Sequence, residues 1–316
     1  MSRLVDKALR IADPLAVPLV APAAWLLKAV RKAGLEKLPL ARKTLLRAGV
    51  LPVRDHYYEP QFDFRADGYD DGPRALPGID WDVEGQLALL AELGWTEEVA
   101  AFPRGPAGPG RFTIENGAFG PGDAEVWYQL LRHRKPRRVV EVGSGFSTLV
   151  AQQALAKNAE EGCPCEHVCI EPYEMPWLES TGVRVVRERV ERVGFERFEA
   201  LEAGDVLFID SSHVVRPHGD VLHLFLRVLP RLQTGVAVHV HDIFSPRPYP
   251  ADWTTELLRL WNEQYVLEAF LTHNSAWRVL LGVNMLRADH YEAIHAVAPF
   301  LKPERGGGSF YIERLA

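Results

Sequence analysis

The stretch Arg137-Arg-Val-Val-Glu-Val-Gly-Ser-Gly-Phe-Ser-Thr-Leu-Val150 decides the fold. Val139–Val142 reads as a short buried strand, Gly143 and Gly145 as a glycine turn, and Ser147 onward as the opening of a helix. Bare backbone at the two glycines allows a tight turn and lets a ligand lie against the main chain. The unpaired N–H groups of a helix start face the same place. A nucleotide-like ligand can therefore sit here, at the carboxyl end of a first parallel strand. Taken alone, the same residues also fit a plain strand-to-helix turn, so the rest of the chain has to choose.

Downstream, strands and helices alternate. After the helix 147–157 come strands over 167–170, 183–186 and 205–209 and a very apolar helix over 218–232. A strand over 236–240, a helix over 254–271, a strand over 278–283, a helix over 289–300 and a last strand over 309–312 follow. The strands are apolar runs rather than alternating ones, which marks a parallel sheet covered on both faces. Gly306-Gly-Gly308 reads as a turn into an edge strand. Upstream, 82–93 reads as a helix, and 123–134 as another with Val126, Trp127, Leu130 and Leu131 on one face and Asp123 as N-cap. The Pro- and Gly-rich stretches 51–81 and 102–110 read as connections without regular structure. The expected class is α/β, a doubly wound, mostly parallel seven-stranded sheet with a helical N-terminal extension. It divides into an arm 1–50, a lead-in 51–120 and a main domain 121–316.

A chain of 316 residues, 47% hydrophobic and 25% charged, has the composition of a soluble globular protein. Cys163, Cys165 and Cys169 cluster with no distant partner, which argues against a disulfide framework and for a reducing, cytoplasmic setting. With His167 they invite a zinc reading, but the alternate spacing of His167 and Cys169 on a strand is poor for tetrahedral closure.

The net charge of −6 hides an asymmetry. Residues 1–50 hold ten Lys/Arg against Asp6, Asp13 and Glu36, about +7, which leaves about −13 for the remainder. A nucleic-acid enzyme should have a basic active face, so nucleic acid is not an expected partner. The arm itself is expected to meet something anionic. Residues 14–27 carry no charge, but fourteen residues with three prolines are too few to span a bilayer as a helix. Basic residues then interleave with Leu26, Leu27, Val30, Leu35, Leu38, Leu40, Leu45 and Leu46. Such a segment either lies on a membrane surface or packs as an arm on the main domain or on a second subunit.

In a doubly wound sheet, ligands sit beyond the carboxyl ends of the strands. There this chain places Gly143 and Gly145, then Glu171, then Asp210-Ser-Ser-His213, then His241-Asp242. An apolar core would reject these groups. Glu171 can accept hydrogen bonds from both hydroxyls of a ribose. His213, three residues after Asp210, can take a proton near neutral pH. Asp210, His241 and Asp242 offer a divalent cation such as Mg or Mn two carboxylates and an imidazole, or else line a substrate without metal. His218, His223 and the tryptophans 253, 261 and 277 read as packing or substrate wall.

With these residues in view, the chain resembles class I S-adenosylmethionine-dependent methyltransferases over roughly 112–314. Glu141-Val-Gly-Ser-Gly145 matches their first motif and Glu171 their ribose-binding acid. More narrowly it resembles a bacterial small-molecule group related to macrolide-sugar O-methyltransferases, with Gly-Ser-Gly-Phe-Ser-Thr, Phe-Ile-Asp-Ser-Ser-His and a strand ending in His-Asp. The resemblance implies a Rossmann-like sheet and S-adenosylmethionine held by Glu141, Gly143, Ser144, Gly145, Ser147, Glu171 and Asp210. It further implies a divalent metal on Asp210, His241 and Asp242, His213 as general base and a small-molecule hydroxyl as acceptor. Two departures stand out. The pair after the fifth strand is His-Asp rather than Glu-Asp, and Ser147 stands where many relatives keep a third glycine. Thr148 in place of the last glycine of a nicotinamide fingerprint weighs against that cofactor. A non-catalytic nucleoside-binding or membrane-surface protein, and a hydroxylase on the same scaffold, remain the alternatives.

Overall fold

The computed structural model describes residues 3–54, 59, 69–106, 108–304 and 306–316. Tyr57, Tyr58, Phe62 and Phe64, expected in an extended connection, lie outside the described residues. The chain separates into two compact units, residues 1–69 with 254–260, and residues 70–253 with 261–316.

The first unit is helical. Helix α1 (Arg3–Ala33) runs 31 residues with Pro14, Pro18 and Pro22 inside it, and α2 (Pro39–Ala48) ends on Gly49 in a left-handed cap. The uncharged stretch 14–27, read as too short to span a bilayer as a helix, is the middle of this longer helix. Each proline removes one i→i−4 bond, so the carbonyls of Arg10, Pro14 and Pro18 lose their helical donors. The spacing of four sets these gaps along one side of the helix. The stretch Lys7–Ala33 is long and apolar enough to cross a membrane by length and composition.

The second unit is built on one seven-stranded sheet. Helices α3 (Val83–Glu92), α4 (Thr96–Ala100) and α5 (Asp123–Arg134) precede β1 (Arg138–Val142). Then come α6 (Phe146–Glu160), β2 (Glu166–Ile170), β3 (Arg184–Val186), α7 (Glu196–Glu199), β4 (Val206–Ile209), α8 (Asp220–His223), β5 (Ala237–Val240) and α9 (Ala251–Thr255). Helix α10 (Glu263–Leu271), β6 (Trp277–Gly282), α11 (Val283–Asp289), α12 (Tyr291–His295) and β7 (Phe310–Arg314) complete the chain. The spatial order is β3-β2-β1-β4-β5-β7-β6. The first five strands pair in parallel, and β7 pairs antiparallel with both β5 and β6. Val139 and Phe208 face a core with Trp127, Leu131, Val150 and Ala154 of α5 and α6. Val140, Leu207 and Val238 face the other core, with Val221, Leu224, Phe225 and Val228. Both faces are covered, as the unbroken apolar strands require.

Several expectations are corrected. β7 is not an edge strand. It lies between β5 and β6, and its residues are buried on both faces up to Glu313, whose carboxylate is paired with Arg134 and Arg278. The helix expected over 254–271 is two pieces, α9 and α10, with an irregular stretch between them. The helix expected over 289–300 is the short α12 alone. The run 218–232 begins as α8, passes through a π turn at Leu224–Val228 and ends as a 3-10 turn at Leu229–Arg231, leaving Leu226 63% exposed. Asp123 does not cap α5. Gly122 does, and Glu125 Oε2 accepts from the Gly122 N–H at 2.8 Å. Asp123 is instead buried, and its Oδ1 accepts from Gly308 N and Ser309 N at 2.8 Å each and from Ser309 Oγ at 2.6 Å. That clamp ties the start of α5 to the entry of β7.

Candidate active site

Parallel pairing puts the carboxyl ends of β2, β1, β4 and β5 side by side. Gly143 N donates to Ile170 O, Asp210 N to Val142 O and His241 N to Ile209 O. The residues after those strands therefore form one row, from Glu171 through the glycine turn to Asp210 and Asp242.

At the turn, Gly143 has φ +79°, and a Cβ there would stand 1.9 Å from the carbonyl oxygen of Asp210. Only glycine permits that approach. Gly145 N donates to Thr148 Oγ1 at 3.1 Å, which closes the first turn of α6. Ser144 Oγ is buried at the turn, beside the Cys169 thiol. Ser147 is buried at the start of α6. Glu171 is nearly buried, and its Oε1 accepts from Tyr173 N and Glu174 N at 2.9 and 2.8 Å. These bonds fix the carboxylate at the end of β2. Glu141 is turned inward: it is fully buried and its Oε2 meets His167 Nε2 at 2.8 Å.

Beyond β4, Asp210, His213 and Asp242 converge, each offering one ligand atom within 4.8 Å of the others. His213 Nε2 lies 3.1 Å from Asp210 Oδ1 and 3.7 Å from Asp242 Oδ2. His213 and Asp242 both sit at left-handed φ, 59° and 57°, a strained backbone that aims the two side chains inward. His241, expected as a ligand, is outside that converging set, and His213 stands in it instead. His241 Nε2 is 3.7 Å from Asp242 Oδ1, and its ring packs against Phe119 at 5.0 Å.

Sequence reasoning missed Glu263. It is fully buried, at the start of α10, and its Oε2 meets His213 Nδ1 at 2.8 Å while its Oε1 accepts from Ser211 Oγ at 2.9 Å. The His213 carbonyl in turn accepts from Asn262 N and Glu263 N at 2.9 and 3.2 Å. A carboxylate on Nδ1 requires the proton there and turns Nε2 toward Asp210 and Asp242. Nothing in the order of residues points to Glu263, because the helix that carries it lies fifty positions on. Trp261 leans over the His213 ring at 4.1 Å and meets Trp253 at 5.2 Å, so an aromatic wall borders the site.

Charge follows from this packing. Burial disfavours the charged form of His213, but the Asp210 and Glu263 carboxylates overcome it and raise the ring well above the usual imidazole value. Burial likewise opposes charge on Asp210, yet the His213 and His241 rings hold it below the ordinary carboxyl range. Asp242 is raised, by burial first. The two carboxylates so arranged suit a hard divalent cation, with His213 Nε2 beside them; the cation would take the place of the proton shared among the three.

Residues 140–243, from β1 to just past β5, match the family model described as a methyltransferase domain. The match lies inside the stretch 112–314 that resembles methyltransferases. An uncharacterized protein of Archaeoglobus fulgidus is 30% identical over 132 residues, 40% of this chain, and the match spans 59% of that relative's length. Solved structures with a similar fold include the O-methyltransferase TomG of Streptomyces achromogenes, involved in tomaymycin synthesis and bound to S-adenosylmethionine. It is 15% identical, with a TM-score of 0.36, over 75% of this chain and 92% of that one. They also include an O-methyltransferase of Bacillus cereus with S-adenosylhomocysteine, 13% identical, TM-score 0.36, over 72% of this chain and 91% of that one. A third is CmcI with Mg and S-adenosylmethionine, 16% identical, TM-score 0.37, over 80% of this chain and 94% of that one. Likeness this remote carries no residue role across.

Proposed function

We propose that the protein transfers methyl from S-adenosylmethionine to a hydroxyl of a small molecule, with His213 as base and a divalent cation on Asp210 and Asp242. One observation carries this reading. Within the segment that matches a methyltransferase domain, the glycine turn, the fixed Glu171 carboxylate and the Asp210–His213–Asp242 group share one row of strand ends.

The residues fit both groups. Glu171 spends Oε1 on backbone N–H groups, which orients its other oxygen for ribose hydroxyls. Gly143 and Gly145 leave room for a nucleoside against the main chain. S-adenosylmethionine supplies an electrophilic methyl on a sulfonium, and a cation at Asp210 and Asp242 supplies a lowered hydroxyl pKa. His213 receives the hydroxyl proton at Nε2, while Glu263 keeps the proton on Nδ1 and balances the charge that forms. A placed base is worth about 10²–10⁴-fold. Trp261 and Trp253 shield the ring from water and give an acceptor an apolar face. The three free thiols suit a cytoplasmic setting.

The test is calorimetric titration with S-adenosylmethionine and with Mn, on wild type, Glu171→Ala, Asp210→Asn and His213→Gln. Loss of nucleoside binding in Glu171→Ala, and loss of Mn in Asp210→Asn with Mn retained in His213→Gln, supports the reading. Equal loss of Mn in both metal-site variants makes His213 a ligand and removes it as base. Absence of S-adenosylmethionine binding in wild type ends the methyltransferase reading. An acceptor screen then reads product mass, where a gain of about 14 Da reports methyl and about 16 Da oxygen.

The arm has a reading of its own. Along α1, Val5, Leu9, Leu15, Leu19, Val20 and Leu26 fall on one side and are exposed, while Lys7, Arg10, Asp13, Lys28, Arg31 and Lys32 fall on the other, with Ile11, Val17 and Trp25 as apolar exceptions. We infer that α1 lies in the plane of an anionic membrane surface. Spanning would put the carbonyls that the three prolines leave without donors into hydrocarbon, where each needs another partner, whereas at a surface they can face water.

A further inference from the structure

Glu141, His167 and Cys169 form a second cluster, on the face of β1 and β2 that α6 covers, separate from the strand-end row. The register pairs Glu141 with Cys169 and Val139 with His167, so the three side chains share one face. Glu141 Oε2 lies 2.8 Å from His167 Nε2 and 3.3 Å from Cys169 Sγ, and Cys169 Sγ lies 3.8 Å from His167 Nε2. Thr148 Oγ1 of α6 stands 3.8 Å from the same sulfur. Glu141 and Cys169 are fully buried, and the His167 side chain is 8% exposed. Ser144 also reaches the Cys169 sulfur, while Glu141 Oε1 is buried with no hydrogen-bond partner among the described residues, so the cluster holds more polar capacity than the protein satisfies.

We propose that Glu141, His167 and Cys169 bind a thiophilic divalent cation of the zinc class between β1, β2 and α6. Tetrahedral zinc with bonds of about 2.0–2.3 Å sets its ligand atoms roughly 3.3–3.6 Å apart. The three separations here come within about half an ångström of that. A thiolate, an imidazole and a carboxylate select zinc over magnesium, and a hydroxyl from Ser144 or Thr148 can close the fourth position. The three cysteines and His167 could not do this by themselves, because alternate positions on one strand do not surround a point. Glu141, from the neighbouring strand, supplies the third corner. Cys163 and Cys165 have no part in it. Binding displaces the thiol proton that Cys169 now directs at Glu141, so affinity rises with pH. The ion would pin β2 to β1 and α6 directly beneath the glycine turn.

The experiment uses the full chain and metals alone. Zinc is measured by elemental analysis after purification from zinc-supplemented medium and dialysis, and stripped protein is titrated with Co(II) while thiolate-to-cobalt absorption is followed. The charge-transfer band is expected in wild type, in Cys163→Ser/Cys165→Ser and in Asp210→Asn, with one equivalent of zinc retained in Asp210→Asn. Cys169→Ser is expected to lose the band and to weaken binding at least ~100-fold. His167→Gln provides the same reading if Cys169→Ser does not fold. Wild type that holds no zinc and shows no band overturns the proposal. So does a band that survives Cys169→Ser or disappears in Cys163→Ser/Cys165→Ser.

Discussion

Glu263 decides which nitrogen of His213 faces the site. With Nδ1 held at 2.8 Å by a buried carboxylate, the ring has one tautomer and one direction. Glu263→Gln keeps a neutral acceptor for Nδ1 and removes the charge. The expected result is S-adenosylmethionine affinity within about two-fold of wild type and turnover lower by roughly 10²-fold, measured on the acceptor that gains methyl. Equal loss of both would mean that Glu263 holds the fold rather than the base. The rest of the site was legible residue by residue. Glu171 and Asp210 each follow an apolar strand directly, and Asp242 and His213 come two and four residues after one, where a polar side chain has no structural excuse. His241 follows the same rule, yet its ring packs against Phe119 while His213 occupies the converging position. Glu263 was illegible because a partner fifty residues away leaves no local pattern.

Among the elements, α5 carries a charge that its surroundings resist. Glu125 receives Gly122 N and Phe300 N at 2.8 Å each, and burial pushes its carboxyl up to about 7. A raised folded-state value means that the native protein holds the proton more tightly than the unfolded chain. This group is therefore neutral to stability below the unfolded value of 4.5 and costs stability as pH rises from there to about 7. The full cost above that window is roughly 3 kcal/mol. Glu125→Gln removes this slope. Urea midpoints at pH 5 and pH 7.5 should differ less in the variant than in wild type, and an unchanged difference would show that Glu125 does not titrate in the window. Elements were legible where a single period governed them. The five parallel strands and α5 follow directly from apolar runs and a 3.6-residue stripe. The α9–α10 break was not legible, because Leu257, Leu258 and Trp261 continue a helical stripe through residues that the structure leaves irregular. Nor was α1, because three prolines ordinarily end a helix.

At the scale of the whole molecule, the basic arm and the acidic remainder divide the labour. Full-length protein should co-sediment with vesicles containing phosphatidylserine, less so at high salt, and not with phosphatidylcholine alone. Leu15→Glu/Leu19→Glu should abolish this and leave S-adenosylmethionine binding unchanged. A dimer that dissociates in the variant, with no vesicle binding in wild type, would show that this face meets a second copy instead. The sequence offered both readings of the arm because a basic amphipathic stripe suits lipid and protein alike. The sheet has a further consequence through β7. Among the described residues β6 pairs with β7 alone, and β5 is open on one side until β7 fills it. On the ribosome, everything from β1 to β6 emerges before residues 310–314 exist, so the nascent chain carries an unpaired hydrophobic edge at β5 and an unattached β6. A premature stop anywhere between β6 and β7 would freeze that state. Such a product would keep the whole strand-end row in its sequence and still be a substrate for chaperones and proteases rather than an enzyme.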